Sequence, residues 1–187
     1  DGPDFTASVP VAQRVNYSRS WFLASWRETG RSNINRDITF SNQQQISATG
    51  INKIVIEGTN NSETFILSDD ITINTEVRAR GGDDLIVTAS GDDTVDGGDG
   101  NDTIFTRAGN DVLTGGTGDD KLMSGLGDDR VFGEGGNDLL DESEGRSRTE
   151  VVLSNEVNFL SGGAGDDIIL GSPGKDTIDG GNGADLL

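Results

Sequence analysis

The chain has 187 residues, the size of a single domain, and its 33 acidic residues against 14 basic ones give a formal net charge of −19. So negative a surface repels nucleic acids and anionic membranes and attracts cations. Because the chain has no Cys and no His, thiolate sites, imidazole sites and Ser-His-Asp catalysis are excluded, and oxygen ligands that suit hard cations such as calcium remain.

Residues 1–50 form a predicted flanking segment, which differs from the rest of the chain in charge. Residues 1–52 hold five Arg against four acidic residues, whereas residues 53–187 hold nine basic and 29 acidic ones. Aromatic and basic residues here favour a cap over the open end of a repetitive fold, with a ligand-binding cluster as the alternative. A helix is predicted between Pro10 and Gly30, because apolar residues recur there at helical spacing, namely Val11, Val15, Phe22 and Trp26.

Residues 51–78 are predicted to form degenerate turns of a β-solenoid. Residues 58–66 look like a worn nine-residue unit, with Gly58 in the first place, Glu63 in the sixth and Phe65 in the eighth. We expect the repetitive fold to begin near residue 50. Around this unit, β-branched residues alternate as they do in strands, namely Ile54, Ile56, Ile71, Ile73 and Val77.

A nine-residue repeat fills the chain from residue 79. Seven units follow one another without a gap to residue 141, and three more run from residue 162, the last one residue short. In all ten units the fourth residue is Gly, the sixth is Asp and the eighth is Val, Ile or Leu. A three-residue strand points one side chain inward, so the eighth residue is predicted to form the core. The glycines open backbone conformations that a turn requires.

The segment 142–161 interrupts the repeat. Leu140 and Ile169 are 29 residues apart, close to the 27 residues of three regular steps, so two degenerate turns are expected, with a loop near residues 142–147. Metal binding is expected to be weak or absent here, because the aspartates are replaced. The inward residues are predicted to be Val152 and Leu160, and the substitutes for aspartate are Glu150 and Asn158.

The repeat matches the pattern GGxGxDxUx and so resembles the RTX (repeats-in-toxin) hemolysin-type calcium-binding family. The resemblance covers about half of the chain and implies an all-β fold, a right-handed parallel β-roll in which two units form one coil. Alternate units then share a side, and calcium ions lie between stacked aspartates. One rank is predicted to hold Asp84, Asp102, Asp120 and Asp138, and the other Asp93, Asp111 and Asp129; beyond the interruption Asp167 and Asp185 share one edge and Asp176 lies opposite.

The resemblance also implies which backbone groups bind the ions. In the family, carbonyls from positions one, three and five of one turn meet those of positions two and four of the next turn, together with its aspartate. Six to eight oxygens at roughly 2.3–2.6 Å are what calcium requires. Besides the ten aspartates, the candidate metal ligands are Gly97, Gly98, Asp99, Gly100, Asn101, Ala108, Gly109, Asn110, Gly115, Gly116, Thr117, Gly118, Asp119, Gly127, Asp128, Gly136, Asn137, Gly162, Gly163, Gly165, Gly181 and Gly183.

The expected function is a calcium-switched structural module and not an enzyme, because no acid, base and nucleophile converge in the sequence. One core residue in nine cannot offset a backbone ordering cost of about 1–2 kcal/mol per residue, so the chain is expected to be disordered without several calcium ions, roughly six or more. The resemblance implies type I secretion to the outside of the cell or the bacterial surface. We expect no nucleic-acid partner and no membrane insertion. Because the chain opens at Asp1 and its only Met is Met123, we expect it to be a piece of a longer protein or a processed one.

Other interpretations stay open. The acidic residues could form a solvated surface on a metal-free solenoid, although stacked like charges argue against it. Pairs such as Asp83 and Asp84 could form a two-carboxylate glycosidase site, but they recur in too many units. An interaction protein is a further possibility, either an ice-binding roll or a surface-binding segment of an adhesin, and the mixed residues at the third position disfavour ice binding. An accessory domain similar to the repeat modules of mannuronan epimerases is disfavoured by the negative charge.

Overall fold

The computed structural model describes residues 13–16, 22–28, 35–39, 45–49, 53–69, 71–142 and 156–187. All regular structure in these residues is β-structure, and the strands form a parallel β-solenoid of about six turns. The all-β roll that the sequence predicts is thereby confirmed. No helix in the described part of the chain could span a membrane.

Two sheets make up the roll, and each coil contributes one strand to each of them. Sheet A is parallel throughout and has the order β1 (Gln13–Asn16), β5 (Lys53–Glu57), β7 (Asn74–Gly81), β9 (Thr94–Asp99), β11 (Val112–Thr117), β13 (Arg130–Gly135), β15 (Phe159–Ala164) and β17 (Thr177–Asn182). Sheet B has the order β16 (Ile168–Leu170), β14 (Leu139–Asp141), β12 (Lys121–Met123), β10 (Thr103–Phe105), β8 (Leu85–Val87), β6 (Thr64–Leu67), β2 (Phe22–Glu28), β3 (Asn35–Thr39) and β4 (Gln45–Thr49), with antiparallel pairing from β2 to β4.

Along the repeats, the core is a column of aliphatic side chains between the sheets, and the eighth residues supply it except at the last unit, where Leu187 is 63% exposed. In-register pairing stacks them, as Ile86, Ile104 and Leu122 stack in sheet B. Their burial is the predicted one and follows from the alternation of side chains along a strand. Those at 0–1% exposure are Ile86, Val95, Ile104, Leu113, Leu122, Val131, Leu140, Leu160 and Ile169, while Ile178 is partly buried.

The interruption of the repeat holds one turn of the roll and not the two that the sequence predicts. Ile169 pairs directly with Leu140 in sheet B, and Leu160 pairs with Val131 in sheet A, so a single coil spans 29 residues instead of the usual 18. Leu160 faces the core as predicted. The prediction of three regular steps is wrong because the two sheets fix which strand pairs with which. Val152, Glu150 and most of the predicted loop at residues 142–147 lie outside the described residues.

The described residues of the N-terminal segment form β-strands, so the helix predicted between residues 10 and 29 is wrong where the chain is described. Strand β1 pairs in parallel with β5, and β2 pairs in parallel with β6. The parallel ladders therefore begin at Gln13 rather than near residue 50. Strands β5 and β6 would otherwise expose unpaired edges, and pairing satisfies them. The worn unit is as predicted, because Phe65 is buried in the core.

Candidate metal centre

The candidate sites lie in the turns that connect the two sheets. We call the turns from sheet A to sheet B the first edge and the turns from sheet B back to sheet A the second edge. The sixth residues of the repeats stack along each edge in a row. The first edge holds Asp84, Asp102, Asp120, Asp138, Asp167 and Asp185, and the second edge holds Asp93, Asp111, Asp129, Asn158 and Asp176.

One oxygen of each of these carboxylates bonds the backbone of the coil before it. The N–H of Asp84 donates to Oδ1 of Asp102 at 2.8 Å, and the N–H of Asp102 donates to Oδ1 of Asp120 at 2.7 Å. On the second edge the N–H of Asp93 donates to Oδ1 of Asp111 at 2.8 Å. Each sixth residue therefore joins two neighbouring coils, 18 residues apart along most of the roll or 29 across the interruption, and its side chain is buried except at Asp176 and Asp185, which are half-buried.

The other oxygen, Oδ2, is buried and has no hydrogen-bond partner in seven of these aspartates. Burial raises the pKa of Asp84, and likewise those of Asp111 and Asp120, to about 7, against the opposing effect of the backbone N–H bond. A cation beside Oδ2 would satisfy the oxygen and restore the charged form. The seven residues are Asp84, Asp93, Asp102, Asp111, Asp120, Asp138 and Asp167.

In the first-edge turns after the first repeat, which has Ala79 at the first position, the first-position glycine leaves room only for that oxygen. A Cβ added at Gly97 would lie 2.2 Å from Oδ2 of Asp102, and one at Gly115 would lie 2.3 Å from Oδ2 of Asp120. At the second position Gly116 has φ +117°, and a Cβ there would lie 2.0 Å from the Gly98 carbonyl oxygen. Carbonyl oxygens and carboxylates of successive coils are thus brought close together, as an oxygen-bound cation requires.

The second edge differs at the first position of the three turns that begin between residues 88 and 124, where hydroxyl side chains replace glycine; the last second-edge turn has Gly171 there. Thr88, Thr106 and Ser124 are all fully buried there. The Ser124 hydroxyl donates to Oδ2 of Asp129 at 2.6 Å and also to Glu142. The nine-residue pattern by itself predicts equivalent turns on the two edges. The signal was available, because the first residue alternates between Gly and Thr or Ser from unit to unit between residues 88 and 133.

A second row of side chains runs along each edge at the fifth position and bonds in the opposite direction. The N–H of Asn101 donates to Oδ1 of Asp83, and the N–H of Asp119 donates to Oδ1 of Asn101, both at 2.9 Å. Aspartate and asparagine alternate strictly. The first edge reads Asp83, Asn101, Asp119, Asn137 and Asp166, and the second reads Asn74, Asp92, Asn110 and Asp128.

Beyond the interruption, the two edges continue into the last three predicted aspartates. Asp167 follows Asp138 on the first edge, and Asp185 follows Asp167, with its Oδ1 at 3.1 Å from the Asp167 nitrogen. On the second edge Asp176 accepts the N–H of Asn158 at 3.1 Å and contacts the Ser172 hydroxyl. The predicted backbone ligands lie in the same turns, at positions one to five of the repeats.

The donor set fits a hard cation bound largely by the backbone. Among the residues that the structure describes, no group of three acidic side chains could hold a metal ion by itself. An ion between two coils of the first edge would therefore take most of its ligands from backbone carbonyls, with one sixth-position carboxylate. Oxygen ligands of this kind, several of them uncharged, suit calcium better than magnesium, which demands a tighter octahedron.

Comparison with known proteins gives a match to one family model, which is described as the RTX calcium-binding nonapeptide repeat (4 copies). It matches residues 78–113, 105–140 and 154–187, which together make up slightly more than half of the chain. The matched ranges contain every sixth-position aspartate of the ten units. Neither a curated protein nor a solved structure matches the chain.

Proposed function

Because the chain belongs to the RTX calcium-binding nonapeptide repeat family, we propose that it is the calcium-driven folding module of a type I secreted bacterial protein. In this proposal the chain is disordered where free calcium is submicromolar, as it is inside the cell. It folds outside the cell and then stabilises or stiffens the protein to which it belongs. Its role is structural and not catalytic.

The observation that carries the proposal is the row of buried carboxylates with an unsatisfied oxygen. On the first edge, Oδ2 of Asp102, Asp120 and Asp138 is buried without a partner, and like charges follow one another from coil to coil. Burying a carboxylate without a partner is costly, and a protein usually neutralises such a group or pairs it with a cation. Calcium between the coils would do this while joining them.

The ligands of one such ion follow from the family arrangement on this geometry. Between the turns at residues 97–102 and 115–120, carbonyls of the first turn and of the second turn would hold the ion together with a carboxylate. The positions are Gly97, Asp99 and Asn101 of the first turn and Gly116, Gly118 and Asp120 of the second. The ion would supply positive charge beside the buried carboxylate of Asp120.

Binding of this strength is enough to control folding. A site with a Kd of order 10⁻⁴ M at about 1 mM free calcium adds about 1.4 kcal/mol to stability, and at submicromolar calcium it adds almost nothing. Several sites together would match the stability of an ordinary domain, which is about 5–15 kcal/mol. The core of one aliphatic residue per nine is thin, so this contribution decides whether the roll forms.

Circular dichroism during a calcium titration tests the proposal. We expect a coil spectrum in EDTA and β-structure in the submillimolar to millimolar calcium range, with much weaker rescue by magnesium at equal concentration. A second titration in high salt without calcium controls for simple charge screening. A spectrum that is equally ordered in excess EDTA and in calcium would contradict the proposal.

A further inference from the structure

Arg107 stands at an unusual place for a long side chain. It is the second residue of a second-edge turn and has φ +69°, in the left-handed region that favours glycine. The next turn along this edge has Gly125 at the same position, with φ +90°. Glycine is therefore accommodated at this position in this fold. The arginine adopts a backbone conformation here that favours glycine.

The guanidinium of Arg107 holds the backbones of the two preceding coils. Its Nη1 donates to the carbonyl oxygen of Thr88 at 2.8 Å and to that of Leu67 at 3.2 Å, and its Nη2 pairs with Asp69 at 2.8 Å. Thr88 is the first residue of its turn, and its carbonyl is one of the oxygens that an ion between this turn and the next would use. A protein cation thus already binds at this place.

The coils before this point are short of acidic ligands on the second edge. The residue that takes the sixth place ahead of Asp93 is Thr75, whose N–H donates to Oδ1 of Asp93 at 2.6 Å. The apolar side chains of Ile71 and Ala89 are buried in the core cluster at these turns. The start of the second edge is therefore built from apolar contacts and a guanidinium.

We propose that Arg107 keeps a calcium ion out of one place on the second edge, between the turns that begin at Thr88 and Thr106, by occupying the Thr88 carbonyl. Its guanidinium contacts that carbonyl and does not reach Oδ2 of Asp111, which an ion there would bind. The inference rests on the proposed function, since it concerns which calcium sites are filled. Calcium and the guanidinium cannot both bind the Thr88 carbonyl closely, because the two positive charges repel each other at contact distance. The coils around this turn are thus joined by the protein's own cation, and the ions are left to the first edge and to later second-edge turns.

Arg80 provides a matched control on the opposite edge. It also occupies the second position of a turn with positive φ, at +83°, but its guanidinium pairs with Glu57 on sheet A at 3.0 Å. Arg80→Gly removes the same charge and relieves the same backbone strain as Arg107→Gly. Only Arg107 contacts position-one carbonyls of the second edge.

The test is the number of calcium ions bound at saturation, measured on the full chain by native mass spectrometry and equilibrium dialysis. We expect Arg107→Gly to bind about one more ion than the unmodified chain, and Arg80→Gly to bind the same number. Arg107→Gln, which keeps a long polar side chain without charge, is expected to gain the ion as well, and it serves if the glycine variant does not fold.

The outcomes separate the inference from the function on which it rests. An unmodified chain that binds calcium, with no gain in either Arg107 variant, overturns the role of Arg107 alone. An equal gain in Arg80→Gly also overturns it, because general loss of positive charge would then explain the result. An unmodified chain that binds no calcium overturns the proposed function itself, and the inference with it.

Discussion

Asn158 shows that the side chain at the sixth position of the repeat has two roles, a hydrogen bond between coils and a second, charged oxygen. It lies in the second-edge row between Asp129 and Asp176, and its Oδ1 accepts the N–H of Asp129 at 2.9 Å, as an aspartate would. An amide therefore suffices for the bond between coils. The second carboxylate oxygen and its charge serve something else, which we propose is calcium.

Replacing Asp120 by Asn should therefore remove an ion without breaking the ladder. The amide oxygen can still accept the N–H of Asp102, while the charged oxygen is lost. We expect one ion fewer and a calcium midpoint raised about three- to tenfold, read by circular dichroism titration. Asp119→Asn is the matched control, since it removes the same charge from an exposed fifth-position residue. Equal effects of the two variants would count against Asp120 as a ligand.

The first-position glycines of the first edge should tolerate no side chain. At Gly115, a Cβ would lie 2.3 Å from Oδ2 of Asp120, so Gly115→Ala must displace the carboxylate. We expect a loss of at least about 2 kcal/mol in the stability of the calcium-loaded protein, measured by urea unfolding. Gly135→Ala is the control, because its Cβ would meet nothing closer than 3.7 Å. If Gly115→Ala left the stability unchanged, the space beside Gly115 would not be needed for Oδ2 of Asp120.

The residue-level pattern was predictable only where every unit shares it. The eighth residues were placed in the core from the sequence, and the structure buries them in the first eight units, while Ile178 is partly buried and Leu187 at the end of the roll is exposed. The worn unit at Phe65 was also recognised. The buried hydroxyls of Thr88 and Ser124 and the contacts of Arg107 were not, because they depend on which edge a unit occupies. A nine-residue sequence pattern does not distinguish units on the first edge from units on the second, whereas the coil repeats every 18 residues.

Among the structural elements, the fifth-position rows place like charges two coils apart. Neighbouring coils in a parallel sheet lie about 4.8 Å apart, so a continuous row of aspartates would repel along its whole length. Asparagine between aspartates doubles the separation and also donates, as the Asn137 amide does to Asp119 at 3.2 Å. The alternation keeps the hydrogen bonds and halves the exposed charge.

Asn101→Asp should expose this effect, because it creates three successive carboxylates with Asp83 and Asp119. We expect the calcium-loaded protein to lose about 0.5 kcal/mol at low ionic strength, with most of the loss recovered in 1 M salt, as measured by urea unfolding at both salt concentrations. Asp119→Asn is the control and should show no such loss. A penalty independent of salt would mean that something other than charge repulsion is responsible.

The strands that sequence reasoning missed are those whose place depends on pairing. Residues 22–28 combine apolar and polar residues in an order compatible with either a helix or a strand, and the open edge of β6 selects the strand. Likewise, the spacing between Leu140 and Ile169 was close to three regular steps, and sheet pairing assigns it to one long coil. Local pattern cannot decide such cases, because the partner lies elsewhere in the sequence.

For the whole molecule, the buried carboxylates make folding depend on pH. Burial raises the pKa of Asp84 from 3.8 to about 7 in the fold, so without calcium the folded state binds more protons than the unfolded chain. The resulting stabilisation of the fold is present at pH values below the pKa of the aspartate in the unfolded chain. It is lost as the pH rises through the pKa of the aspartate in the folded state. Between pH 4 and pH 7 the calcium-free roll should therefore lose stability as pH rises.

Two measurements test the direction in which stability changes with pH. In EDTA, β-structure seen by circular dichroism should increase on acidification from pH 8 to pH 5. In calcium, the titration midpoint should rise on acidification, because protons compete with the ion for the same carboxylates. A midpoint that is indifferent to pH across this range would contradict the assignment of these carboxylates to the sites.

The two rows of side chains along each edge form hydrogen bonds in opposite directions between the coils, and this limits which insertions or deletions of repeats the fold can accommodate. A sixth-position side chain accepts from the coil before it, and a fifth-position side chain accepts from the coil after it. Gain or loss of a whole coil leaves every side-chain acceptor facing a backbone donor on its own edge, although it brings two like residues together in each fifth-position row. Gain or loss of a single nine-residue unit exchanges the edges and sets the hydroxyl turn of Thr106 against the glycine turns. The array is therefore expected to gain and lose repeats in even numbers, because each coil contains one turn on each edge.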